Sequence, residues 1–296
     1  MDTTSLILPV WALYTLSFLA LLSFATYALN IVLACLFYGE QNLAKKYGAK
    51  WALVTGASSG IGKALATKLA KQGLNVVLAA LDDDLLKNTT RELREAFEGQ
   101  EFRAVGIDLC KHAFPQPDGW QGGEGFMAKL KAATDDVTVQ IVFNNAGFIR
   151  TGFFADLPVG AHLANYHCNA TAGVEITHHF LTKLLASGRK GCVVFTSSPA
   201  GFMPCPFSSM YGATKAFLTE FASSIAAEVR ADGVDVTVVH PSPTNSNFYA
   251  RKDTHALDAL AFFKSTATGT LYTMAVLAYA RRPKYRDASV WGGPIC

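Results

Sequence analysis

Residues 51–62 constrain this chain more than any other stretch. Trp51-Ala52-Leu53-Val54-Thr55 is a short, largely apolar run of strand character, and it passes without a spacer into Gly56-Ala57-Ser58-Ser59-Gly60-Ile61-Gly62. A helical pattern with Leu65, Leu69 and Ala70 apolar follows and ends near Gly73. Strand, glycine-rich turn and helix in this order are the context in which such glycines bind phosphate. In that setting Gly56 permits the sharp turn and Gly60 lets the main chain approach a diphosphate. Gly62 allows tight helix–strand packing, and the helix amino terminus faces the anion, with Ser58, Ser59 and Ile61 completing the loop. The competing reading is a purely structural βα turn.

The rhythm continues. A second strand, Asn75–Ala80, ends at Leu81-Asp82-Asp83-Asp84. An acidic residue about 20 positions past the glycines bonds the ribose hydroxyls of NAD, and Asp82 stands there. The same aspartates also suit the start of the next helix, where negative charge complements the dipole. No Arg or Lys occupies the strand end to hold a 2′-phosphate, which favours NAD(H) over NADP(H). A third strand, Phe102–Ile107, ends at Asp108, placed to contact an adenine. A fourth, Val139–Phe143, runs into Asn144-Asn145-Ala146-Gly147, and further strands are expected at Val193–Thr196 and Val234–Val239. The fold class is α/β, a doubly wound parallel sheet of Rossmann type.

Ser198 follows the Val193–Thr196 run, and Tyr211 and Lys215 stand four apart at the start of a helical pattern. That spacing puts both side chains on one helix face. A phenol beside an ammonium, with a hydroxyl across a loop, suits moving a proton onto or off a carbonyl oxygen. A Tyr pKa near ~10 is too high for a base at neutral pH, and a nearby cation lowers it.

No charged residue occurs from Thr3 to Gly39, which is long enough for one membrane helix or a tight hairpin. A secretory signal fits less well, because no basic region precedes the run and the run exceeds the usual ~7–15 apolar residues. Lys45, Lys46 and Lys50 follow the span, which places the remainder in the cytosol by the positive-inside rule, with the endoplasmic reticulum as the default membrane. The expected organisation is an anchor and basic linker over 1–48 and a nucleotide-binding domain over 49–296. The chain is 50% hydrophobic and 17% charged, so a large core is available and disorder is disfavoured. A net charge of +3 with scattered basic residues argues against nucleic acid. Six cysteines without a CxxC pair suit reduced thiols and no metal site. Two sequons, at Asn88 and Asn169, carry little weight in a cytosolic domain.

Together these residues resemble the short-chain dehydrogenase/reductase superfamily. The matches are Thr55 to Gly62, Asp108, Asn144-Asn145-Ala146-Gly147, Asn169, Ser198 and Tyr211-x-x-x-Lys215, in family order over about 49–250. Ser198 lies thirteen before Tyr211, the family's usual separation, which prefers it to Ser197. The anchored start most resembles the membrane 17β-hydroxysteroid dehydrogenases and very-long-chain 3-oxoacyl-CoA reductases. The resemblance implies that Tyr211 is the general acid or base and that Lys215 lowers its pKa and bonds the nicotinamide ribose. It also implies that Ser198 holds the substrate oxygen, that Asn169 holds a water leading to solvent, and that Asn145 borders the cofactor. Where the family has Pro-Gly and then Thr, this chain has Pro241-Ser242 and Ser246, which retains a hydroxyl for the cofactor.

The loop 199–210 and an expected lid over 246–280 are rich in Phe, Leu and Met, which suits a lipid-like carbonyl such as a 3-oxoacyl-CoA or a ketosteroid better than a sugar. Oxidation of retinol or another lipid alcohol uses the same residues in reverse, and a catalytically silent NAD(P)-binding scaffold is the alternative from another class. The family often dimerises through the helix that carries Tyr211, so a homodimer is a further expectation.

Overall fold

The computed structural model describes residues 9–37, 41–111, 125–241, 244 and 248. Ser242, Ser246 and the lid expected over 246–280 lie outside the described residues, apart from Phe248.

Helix α1 (Val10–Phe37) is a single uninterrupted helix of 28 residues, so this part of the uncharged stretch is not a hairpin. Its segment Val10–Leu29, with mean hydropathy 1.7, is long and apolar enough to cross a membrane. Trp11, Tyr14, Phe18, Leu21 and Phe24 along it are all exposed, where a core helix would bury most of them. This helix belongs to one compact unit, and a second begins at Asn42.

The second unit opens with α2 (Leu43–Tyr47), capped by the Asn42 side chain accepting the Lys45 N–H and closed by Gly48 in the left-handed region. Leu43 and Tyr47 are buried, and Asp235 accepts hydrogen bonds from the Tyr47 hydroxyl and the Lys46 ammonium, each at 2.6 Å. The basic residues after the apolar stretch are therefore partly built into the globular unit: Lys46 is held by a carboxylate of the last strand.

Among the described residues six strands follow: β1 (Trp51–Thr55), β2 (Asn75–Ala80), β3 (Phe102–Gly106), β4 (Val139–Asn144), β5 (Gly191–Thr196) and β6 (Val234–Val239). They pair in parallel in the order β3-β2-β1-β4-β5-β6. The chain turns back across the sheet between β1 and β4, which opens a crevice beyond their carboxyl ends. Helices α3 (Gly60–Lys71) and α4 (Asp84–Ala96) cover one face. Helices α5 (Phe126–Ala132), α7 (Ala172–Ala186) and α8 (Ser209–Glu228) cover the other, and α6 (Val159–Tyr166) leads towards α7. Alternation within β1 divides the core: Ala52 and Val54 pack with Leu65, Leu69 and Val76, while Trp51 and Leu53 pack with Val142, Ile176 and Phe180.

The start of α3 lies tight against the glycine turn at Gly62. A methyl carbon there would lie 2.0 Å from the Gly56 carbonyl oxygen and 2.9 Å from the Asn145 side-chain nitrogen. Gly62→Ala is expected to lower the unfolding free energy by about 1–3 kcal/mol in chemical denaturation. Gly160→Ala, in open space on α6, is expected to raise it by about 0.5–1 kcal/mol. Equal responses would refute the packing argument.

Candidate active site

The crevice is stitched together by side chains at the strand ends. The Thr55 hydroxyl accepts the N–H groups of Asn145 and Ala146, both at 2.9 Å, and donates to the Phe143 carbonyl at 3.3 Å. The Asn145 amide donates to the Thr55 carbonyl at 3.1 Å and accepts from the Thr196 hydroxyl at 3.2 Å. Thus β1, β4 and β5 are locked at their carboxyl ends. Gly56 and Gly60 both have positive φ, 64° and 52°. A side chain at Gly56 would press on Ala146.

Ser59 precedes α3 without capping it through its side chain. The first N–H groups of α3 therefore have no side-chain cap, and with the helix dipole they suit an anion. The Ser58 carbonyl is held by the Thr89 hydroxyl at 2.9 Å, and Ile61 packs on the core, leaving main-chain groups to face a ligand. The glycine turn therefore fits a dinucleotide diphosphate.

Two of the three aspartates after β2 are placed differently. Asp83 caps α4 by accepting the Leu86 N–H at 3.0 Å, while Asp82 stays exposed at the strand end. A methyl carbon at Gly106 would lie 2.6 Å from the Asp82 Cβ, so the neighbouring strand end leaves room for Asp82. Asp108 accepts the Cys110 N–H at 3.0 Å, which shapes the turn after β3.

Tyr211 and Lys215 lie one turn apart on α8, both buried, with the Lys215 Nζ 5.5 Å from the centre of the phenol ring. Lys215 donates to the Thr196 carbonyl at 2.8 Å, at the end of β5. Burial lowers its pKa from 10.5 to about 8, against a small opposing effect of Cys168. Gly147 makes this convergence possible, because a methyl carbon there would lie 3.0 Å from the Asn169 Oδ1 and 3.4 Å from the Lys215 Nζ.

Asn169 sits in a π-helical turn, His167–Thr171, that lies between α6 and α7. Such turns insert an extra residue and often mark functional sites. Its side chain accepts the Phe148 N–H at 2.9 Å and donates to the Phe148 carbonyl at 2.9 Å and to the Thr214 hydroxyl at 3.3 Å. With both ends engaged, the amide braces the loop after Gly147 against α8.

Ser198 and Ser197 are clearly distinguished. Ser197 is 1% exposed and donates to the Lys215 carbonyl at 2.7 Å. Ser198 is partly exposed, and its hydroxyl accepts the Ala200 N–H at 3.2 Å. Sequence reasoning missed the set behind Lys215. Thr219 bonds the same Lys215 carbonyl at 2.9 Å and contacts His240 at 3.0 Å, and His240 lies against Phe202. Burial and the Lys215 charge both lower the His240 pKa. A hydroxyl one turn past Lys215 was the available signal.

A wider groove of about 410 Å³, lined by Lys87, Arg91, Arg94 and Glu95 on α4, contains none of these residues.

Lys215 gives a pH-dependent prediction. Its folded pKa lies below its unfolded value, so the buried charge opposes folding below pH 8, and that penalty is released as pH rises from about 8 towards 10.5. The unfolding free energy of the cofactor-free protein, relative to Lys215→Met, is expected to rise by about 2–3 kcal/mol between pH 7 and 10. A difference that stays flat with pH would contradict the burial argument.

The short chain dehydrogenase family model matches residues 50–256. The chain is 32% identical over 199 residues to a 7beta-hydroxysteroid dehydrogenase of Collinsella aerofaciens, covering 67% of this chain and 70% of that one. It is 30% identical over 213 residues to a very-long-chain 3-oxoacyl-CoA reductase of Laccaria bicolor, covering 70% of this chain and 59% of the relative. A short-chain dehydrogenase from Sphingobium yanoikuyae, solved in complex with NADPH, superposes with a TM-score of 0.66 at 26% identity, covering 82% of this chain and 91% of that one. The chain belongs to the short-chain dehydrogenase family, NAD(P)-dependent oxidoreductases that interconvert alcohols and carbonyls.

Proposed function

We propose that this protein is a membrane-anchored oxidoreductase of the endoplasmic reticulum, with its catalytic unit in the cytosol, acting on a lipid-like carbonyl or the corresponding alcohol. The observation that carries the reading is the buried Lys215 ammonium 5.5 Å from the Tyr211 ring, at the carboxyl ends of the strands. A cation so placed stabilises the phenolate of Tyr211, which lets the phenol exchange a proton near neutral pH. In carbonyl reduction the Tyr211 hydroxyl delivers its proton to the substrate oxygen while the Ser198 hydroxyl donates a hydrogen bond to the same atom. In oxidation the Tyr211 oxygen takes that proton. When bound, the nicotinamide supplies or accepts the hydride.

Gly56, Gly60 and Gly62 would hold the diphosphate, with Asn145 and Lys215 towards the nicotinamide and Asp108 towards the adenine. Asp82 stands free at the strand end with no basic neighbour in Leu81-Asp82-Asp83-Asp84, which favours NAD(H).

Three observations support a lipid-like substrate. Phe202, Met203 and Phe207, between Ser198 and Tyr211, are 65%, 62% and 45% exposed. The helix containing Val10–Leu29 is apolar enough for a bilayer. Relatives are named for hydroxysteroids and very-long-chain 3-oxoacyl-CoA.

The test is detergent-solubilised protein with each cofactor against ketosteroids, 3-oxoacyl-CoAs and retinoids. Turnover of a ketosteroid or 3-oxoacyl-CoA is expected, and cofactor binding without turnover of any member would point to a silent scaffold. Tyr211→Phe is expected to lower kcat by about two to four orders of magnitude with cofactor Kd nearly unchanged. An equally active Tyr211→Phe protein would end the proton-transfer assignment.

A further inference from the structure

Arg150 follows the Asn145-Ala146-Gly147 turn by three residues and is absent from the chemistry above. The Gly152 N–H donates to the Phe207 carbonyl at 2.9 Å, so residues 150–152 run beside the segment that leads into Tyr211. Arg150 lines a small cavity of about 10 Å³ with Phe207, Ser209, His162 and Asn165.

Its Nε is buried without a hydrogen-bond partner, and among the described residues no carboxylate pairs with the guanidinium. Arg103, by contrast, is paired with both Glu101 and Asp136 at 2.6 Å. Two further polar atoms nearby are buried and unsatisfied: the Thr151 Oγ1 and the Asn165 Oδ1, in residues 6% and 1% exposed. A partly desolvated guanidinium with no counter-charge is unfavourable unless something completes it. The cavity holds at most a water, so any larger group that completes the guanidinium has to come from outside it.

The surroundings say what else that ligand carries. Phe153 and Phe154, three and four residues on, are 63% and 61% exposed, and Phe153 stacks edge-on against Phe207 at 5.0 Å. One fixed cation beside an apolar rim matches an amphiphile with a negative group, and a planar guanidinium can bond phosphate or carboxylate through two N–H groups.

We propose that Arg150 is a specificity-determining residue that pairs with an anionic group, phosphate or carboxylate, on an amphiphilic substrate whose carbonyl lies at Tyr211. This rests on the function proposed above and selects among its substrates: charged amphiphiles are favoured over neutral ones of equal bulk.

The test uses the full chain in detergent and four ligands. These are a long-chain 3-oxoacyl-CoA, its uncharged N-acetylcysteamine thioester, a ketosteroid carboxylate and its methyl ester. Arg150→Met is expected to raise KM for the charged member of a pair about tenfold or more. The kcat and the uncharged member's KM should stay within about twofold. The pair that responds tells phosphate from carboxylate, and Arg150→Lys should restore part of the loss. Equal losses on charged and uncharged members, or no loss on any, overturn the proposal.

If wild-type protein turns over none of the four, the proposed function has failed. Arg150 is then judged by equilibrium binding of a saturated long-chain acyl-CoA and its uncharged thioester. Weaker binding of the charged ligand alone to Arg150→Met upholds the proposal, and unchanged binding overturns it.

Discussion

The site depends on keeping one ammonium group out of water. Lys215 is 3% exposed, and its charge survives there because the Thr196 carbonyl takes one of its hydrogens at 2.8 Å. That carbonyl lies at the end of β5, beyond the last β4–β5 pair, Asn144 with Phe195. The loop after β4 can reach the same point because residue 147 is glycine. Behind the lysine, Ser197 and Thr219 fix its main-chain carbonyl, so the turn of α8 carrying Tyr211 and Lys215 cannot drift. Under the proposed function, the remaining N–H groups of the ammonium would serve a ribose hydroxyl and the field at Tyr211.

This arrangement explains why most of the polar side chains in the crevice face each other rather than solvent. Thr55, Asn145 and Thr196 join three strand ends, and Asn165 and Asn169 both donate to the Phe148 carbonyl, at 2.7 and 2.9 Å. Buried polar networks of this kind hold a geometry where their members are satisfied, as Thr55, Asn145 and Asn169 are here, while the Asn165 Oδ1 stays unpaired. The Tyr211 main chain is tied to this scaffold through Thr214 and Asn169, a rigidity that suits the proposed proton transfer.

The parallel sheet was legible because strands buried on both faces leave near-continuous apolar runs. The third strand, expected over Phe102–Ile107, ends one residue sooner, and the fifth begins at Gly191, earlier than its β-branched run suggests. Glycine is tolerated there because a side chain would meet the Gln140 carbonyl at 2.2 Å. The family's separation preferred Ser198 to Ser197, and in the structure the two differ in exposure, with Ser197 buried and Ser198 partly exposed. The π turn at Asn169 was not legible, since one inserted residue hardly disturbs an apolar period. Nor was the docking of α2, which hangs on Asp235 almost two hundred positions away. Arg150 escaped notice because a lone basic residue after a turn usually reads as a solvated one.

The most direct measurement is an experimental structure of the full chain with reduced cofactor and a bound ketone. The account predicts the substrate carbonyl oxygen within about 2.6–3.2 Å of both the Ser198 and Tyr211 hydroxyls, with Lys215 bonded to the nicotinamide ribose. A carbonyl bound away from Tyr211, or a cofactor that leaves Lys215 on Thr196 alone, would contradict it.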